Sequence, residues 1–335
     1  MRLALLVPVY MCGALLVQAA DENVPVGAHS RKFQFMYTAT IKDVPEGVKS
    51  VDLWIPVPQT DTYQEIGNIQ FSGPDHPEVA ADPVQNNLMA HWKLDAAKAK
   101  GFTVTMSVEC NRHEISAKDL DKARDLTDDE KTKFAEYLKA NKLVLVGGKF
   151  TETADAAING AKTPPAIAKA AYDYAVGSMK YYKPKDKPGW GTGSTQWACD
   201  SKFGNCTDFH ALVMSIGRTK GVPVKFEMGF PLPDVVADKP ETKAGPIGGY
   251  HCWAKTYLSG IGWVPLDASE AQKHPEKKDY FFGNIDANRI HFTNGRDVNL
   301  APKQSGDPLN FFIYPYAEAD GKSIPVDKAF AFKDL

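Results

Sequence analysis

Several protein classes are excluded by what this chain has little of. It holds five cysteines in 335 residues, and none forms the tight Cys-x₂₋₄-Cys pair that structural zinc sites favour; Cys199 and Cys206 stand seven apart. No metal and no cofactor is expected. The four cysteines beyond residue 20 are too few to form a disulfide framework. Lys and Arg number 39 against 41 Asp and Glu, a net charge of -2, so no global basic field exists to collect nucleic acid or anionic lipid. Gly (26) and Pro (23) are too sparse for low-complexity disorder. Internal repeats and a phosphate-cradling glycine motif are lacking too, and after the first twenty residues no apolar run reaches membrane-spanning length.

Those first twenty residues differ in kind from the rest. Arg2 is followed by an apolar run from Leu3 to Val17, then by Gln18-Ala19-Ala20 ahead of Asp21-Glu22. A basic start, an apolar stretch too short to span a bilayer and small residues at a cleavage point predict a secretory leader over 1–20. The mature protein is then expected to be periplasmic or secreted, without a membrane span, in a compartment that permits disulfides. Its oligomeric state is not legible.

From Arg31 to Arg112 apolar residues alternate, as in Phe33, Phe35, Tyr37 and in Val51, Leu53, Ile55, Val57, with Pro and Gly between the runs. This predicts an antiparallel β-sandwich over 30–112. The charged stretch 113–160 reads as a helical bridge, and Thr127 with Glu130 has the form of a capping box. Thr163-Pro164-Pro165 opens a helix bearing Ile167, Ala171 and Tyr174. An aromatic, glycine-rich loop from Tyr181 to Phe203 follows, then a helix from Cys206 to Lys220-Gly221, then strands from Val222, His251 and Trp263. The fold class is therefore α+β, with the second domain over 161–300 and a C-terminal extension over 301–335. The polar segment Pro231 to Gly249 is expected to be a mobile surface loop near the site.

Thiol-based acyl transfer needs a thiolate, a base beside it and a group to hold the base. Asn205 can cap a helix whose first residue is Cys206, where the helix N-terminus lowers a thiol's pKa and offers N–H groups to an oxyanion. Two histidines could serve as base. His210 lies one turn along the same helix, whereas His251 starts a strand whose turn at Ser259 to Gly262 brings Asp267 nearly opposite. Only His251 gains a third member, so His210 reads as a hydrogen-bonded core histidine. Trp190, Gln196 and Trp197 are candidates for a second oxyanion donor or for the cleft wall. Asp208, taken as exposed, complements the helix dipole. Cys252 points to the face opposite His251, as a buried filler. A Cys199–Cys206 disulfide would remove the nucleophile and a Cys199–Cys110 one would spare it.

Gly204-Asn205-Cys206-Thr207-Asp208-Phe209-His210-Ala211-Leu212, then Arg218 to Lys225, then Gly248-Gly249-Tyr250-His251-Cys252-Trp253-Ala254 and Gly262 to Asp267, resemble in order and spacing the core of the bacterial transglutaminase-like family. The resemblance covers 165–270, and the first domain looks like the β-domain that often precedes this core. It implies a papain-like fold and a triad of Cys206, His251 and Asp267, acting on a peptide or protein amide through a thioester. Lys225 departs from the arginine common at that place in relatives. The expected function is a thiol-dependent amide hydrolase. The alternatives are a protein-glutamine acyltransferase and a binding module that keeps the fold without turnover.

Overall fold

The computed structural model describes residues 22–183 and 188–335, so the leader expected over 1–20 lies outside the described residues. Six strands open the chain: β1 (Val26–Thr40), β2 (Ser50–Pro56), β3 (Gln64–Ser72), β4 (Glu78–Ala81), β5 (Leu88–Asp95) and β6 (Thr103–Ser116). The period-two pattern sorts their side chains. Phe33, Phe35, Tyr37 and Ala39 of β1 and Val104, Met106, Val108 and Cys110 of β6 are all buried, and the two strands pair in antiparallel register. β6 also takes β3, while β2 pairs with β5 and β5 with β4 in a separate sheet.

The bridge begins with the capping box. Thr127 Oγ1 accepts from Glu130 N–H at 3.2 Å and Glu130 Oε2 accepts from Thr127 N–H at 2.9 Å, opening α1 (Asp128–Lys133). Glu130 also accepts from the hydroxyls of Tyr257 and Ser259, which ties the bridge to the hairpin that follows. α2 (Thr151–Ile158) and α3 (Pro164–Ser178) come next, α3 with proline in its first turn and no side-chain cap bond from Thr163. The stretch read as one loop from Tyr181 to Phe203 carries structure of its own: β7 (Lys180–Tyr181), α4 (Thr195–Ser201) and β8 (Phe203–Gly204), with β7 and β8 parallel.

α5 (Cys206–Thr219) is buried along nearly its whole length against α3, α4 and a four-stranded sheet. That sheet is built from β9 (Val224–Pro231), β11 (His251–Leu258), β12 (Gly262–Leu266) and β14 (Arg289–Asn294), in the order β12-β11-β9-β14. β10 (Ala244–Ile247) precedes β11, and α6 (Ala268–Lys273) and β13 (Asn284–Ile285) lie between β12 and β14.

Two expectations are corrected here. Residues 301–335 are no appendage, because they form β15 (Tyr316–Ala319), β16 (Lys322–Ile324) and β17 (Asp327–Asp334). β15 pairs with β2, and β17 pairs with β1 over eight positions from Phe33↔Asp334 to Thr40↔Asp327. The sandwich read over 30–112 is thus completed by β10, β13, β15, β16 and β17 from far along the chain. The segment 231–249 is not a free loop either. β10 pairs with β17, and the Arg31 guanidinium donates to the carbonyls of Pro233 and Thr242 at 2.7 and 2.8 Å.

Candidate functional site

Asn205 caps α5 and Cys206 is its first helical residue. The cap occupies the amides around the thiol in order. Asn205 Oδ1 accepts from Thr207 N–H at 2.9 Å, Asp208 Oδ2 accepts from Asn205 N–H at 3.0 Å, and Asp208 N–H donates to the Asn205 carbonyl at 3.1 Å. The Cys206 N–H has no acceptor among the described residues. A helix start thereby presents one unused donor beside a sulfur.

His251 opens β11. The β11–β12 ladder closes at Ala254↔Leu266, so Asp267, one residue further, lies across from Trp253 and two residues from His251. His251 Nε2 stands 2.7 Å from Asp267 Oδ2, which leaves Nδ1 for the hydrogen bond to the Cys206 side chain. Asp267 is itself held. Its Oδ1 accepts from the Ser269 hydroxyl and from Glu270 N–H, both at 3.0 Å, which makes it the cap of α6, and Arg289 Nη1 donates to Oδ2 at 3.1 Å. Arg289 in turn lies over the Trp253 ring and bonds Asp286.

Burial opposes charge on all three groups, and the network outweighs it. Burial would push the Cys206 thiol up, but hydrogen bonds from Cys252 and His251 and the His251 charge hold it well below the ordinary thiol value. Burial would lower His251, yet the Asp267 charge and hydrogen bond raise it to about 10. Burial would raise Asp267, yet His251 and Arg289 keep it well below the usual carboxylate range. The arrangement therefore favours thiolate and imidazolium together at neutral pH.

The structure disposes of the other sequence candidates individually. His210 is fully buried with Nδ1 2.7 Å from the Cys206 carbonyl, and its Nε2 accepts from Ala268 N–H at 3.2 Å. Both nitrogens are used, and burial keeps the ring neutral by lowering its pKa. Trp190 donates its indole N–H to the Tyr182 carbonyl at 2.8 Å, and Gln196 donates its amide to Asp200. The Trp197 ring packs edge-on to Phe203, and Gly189 covers its pyrrole edge so closely that a Cβ there would stand 2.0 Å from Nε1. These three side chains are not assembled with the Cys206–His251–Asp267 group.

Cys252 does face away from Trp253, but that face carries the helix: its sulfur lies 3.6 Å from His210 Nδ1 and hydrogen-bonds Cys206. It is a neighbour of the thiol rather than mere filler. Cys110, Cys199, Cys206 and Cys252 are all free, so neither disulfide forms among the described residues. Asp208, expected to be exposed, is fully buried: it accepts from Gly191 N–H at 2.7 Å and Gly193 N–H at 2.8 Å, fastening the 189–194 loop to the helix start. Lys225 lies in a buried group with Glu22, Glu227 and Lys255, its ammonium over the Trp263 ring, and makes no contact with Cys206, His251 or Asp267. Arg289 was not legible, because no local spacing relates a strand residue to a carboxylate twenty-two positions earlier.

The sequence model described as the Transglutaminase-like superfamily matches residues 151–268. An uncharacterized protein of Haemophilus influenzae is 28% identical over 349 residues, covering 92% of this chain and 91% of that one. A solved structure of a candidate cysteine protease from Cytophaga hutchinsonii superposes with a TM-score of 0.59 at 13% identity, covering 92% of both chains, which shows a shared fold. Residues 151–268 thus form a transglutaminase-like domain within this chain.

Proposed function

We propose that this protein is a thiol-dependent hydrolase of peptide or protein amide bonds, exported to the periplasm or secreted, in which Cys206 is the nucleophile, His251 the acid and base, and Asp267 the group that orients His251. The observation that carries the reading is the convergence of three buried groups: Cys206 at the start of a helix, His251 beside it with the two charges favouring each other, and Asp267 hydrogen-bonded to His251 at 2.7 Å. In acylation the Cys206 sulfur bonds the carbonyl carbon and the departing amine takes the proton from His251 Nδ1. In deacylation the same nitrogen takes a proton from water as its oxygen attacks the thioester. The Cys206 N–H faces the developing oxyanion.

Water rather than an amine is the proposed acceptor. A protonated amine could be drawn in by a free carboxylate, but those beside the site are engaged: Asp267 by His251 and Arg289, Asp208 by three N–H groups, and Glu270 by Lys273. Two experiments test this reading. Iodoacetamide should alkylate Cys206 rapidly near neutral pH in wild type and slowly in His251→Ala; equal, ordinary rates in both would sink the enzyme reading in favour of a binding module. Turnover of a glutamine-containing peptide with millimolar primary amine present should yield mainly acid by mass, and mainly amine adduct would make the protein an acyltransferase.

A further inference from the structure

An oxyanion formed at Cys206 has one backbone donor, the Cys206 N–H, and such sites ordinarily place two. With the Trp190 and Gln196 donors committed and the Trp197 edge covered, the second must come from elsewhere. β7 supplies a candidate. Its parallel pairing sets Tyr181 against Gly204, two residues before the nucleophile, and the flanking bonds Lys180 N–H to the Lys202 carbonyl and Tyr182 N–H to the Gly204 carbonyl fix that register. Tyr181 N–H also donates to Gln272 Oε1 of α6 at 3.0 Å. The ring has two neighbours: its centroid lies 6.2 Å from that of Phe209, one turn beyond Cys206, and the Lys273 ammonium sits 4.8 Å from it.

A tyrosine so fixed would be expected to use its hydroxyl in packing, but the Tyr181 hydroxyl has no hydrogen-bond partner among the described residues, and the residue is 37% exposed. It stands beside the first turns of α5 with an unspent donor. We propose that the Tyr181 hydroxyl is the second oxyanion donor. Burial and the nearby Cys206 charge push its ionisation up, so it stays protonated at working pH.

The step balances without any transfer from Tyr181. The sulfur–carbon bond forms, and the carbonyl π pair moves to oxygen, which accepts from Cys206 N–H and Tyr181 O–H. When that pair returns, the carbon–nitrogen bond breaks and the amine leaves with the His251 proton. The inference rests on the hydrolase reading, and a pair of probes separates the two. Acylation by p-nitrophenyl acetate builds an oxyanion, whereas alkylation by iodoacetamide builds none. Tyr181→Phe should lower kcat/KM for p-nitrophenyl acetate about 10²-fold, the loss typical of one oxyanion donor, and leave the Cys206 alkylation rate unchanged. A kcat/KM within threefold of wild type would overturn the proposal, as would slowed alkylation, which would mean that the tyrosine acts on the thiol, or an equal loss in Trp197→Phe with Tyr181→Phe unaffected. Slow alkylation of the wild-type thiol would instead count against the hydrolase reading itself.

Discussion

His251 and Cys206 pull stability in opposite directions as pH rises. His251, raised to about 10 in the fold, binds a proton that the unfolded chain releases near pH 6.5; its contribution is complete below about 6.5 and is lost as pH climbs through 10. Cys206 is held well below its ordinary value, so its contribution grows until the unfolded thiol ionises near pH 8.5. The two slopes offset between about pH 6.5 and 8.5, whereas in Cys206→Ser only the falling histidine contribution remains. The urea midpoint of Cys206→Ser should therefore drop across that window more than that of wild type. An equal drop would mean that the thiolate–imidazolium pair is absent. Asp267→Asn should fold, because its one side-chain oxygen can still cap α6 through Ser269 and Glu270, yet lose turnover about 10⁴-fold as the imidazole loses its orienting charge; near-normal turnover would remove Asp267 from the site. The three residue types were legible because a helix start and a hairpin are local signals. Arg289 and Tyr181 were not, since each reaches the site through contacts between distant segments.

Among the elements, the start of α5 shows what helical periodicity misses. Position 208 falls in the first turn, where an acidic side chain ordinarily meets solvent. Here the 189–194 loop folds over it and Asp208 becomes the clamp, with burial moving its carboxyl up to about 6 against the lowering effect of three N–H donors. Gly193 shows how tight the clamp is: its φ is +63°, and a Cβ there would stand 2.6 Å from Thr207. Asp208→Ala leaves the Gly191, Gly193 and Asn205 amides without their acceptor. At about 1–3 kcal/mol for a buried donor left unpaired, this variant should lose on the order of 3 kcal/mol in urea unfolding at unchanged m. Chymotrypsin should also cut it at Trp190 sooner than wild type. Loss of neither stability nor protection would show that the loop is held by other means.

At the scale of the whole molecule, the separate sandwich and core read from the sequence share one aromatic centre. Phe35 and Tyr37 of β1, Phe230 of β9, Phe292 of β14 and Phe330 of β17 meet with centroids between 4.4 and 6.5 Å. Alternation along β17 could be seen in the sequence, but its partner could not, because pairing across nearly three hundred residues leaves no local trace. Glu22 adds a second tie by bridging the buried Lys225 and Lys255 at 2.7 and 3.0 Å. The two regions are thus proposed to unfold as one cooperative unit. Phe330→Ala, cutting into the shared centre from the sandwich side, should cost about 3–5 kcal/mol. The loss should register equally in tryptophan fluorescence and in protection of Cys206 from alkylation in rising urea, with coincident midpoints for the two probes. If the fluorescence midpoint fell while Cys206 protection kept its wild-type midpoint, the regions would be independent domains and the shared aromatic centre only a contact between them.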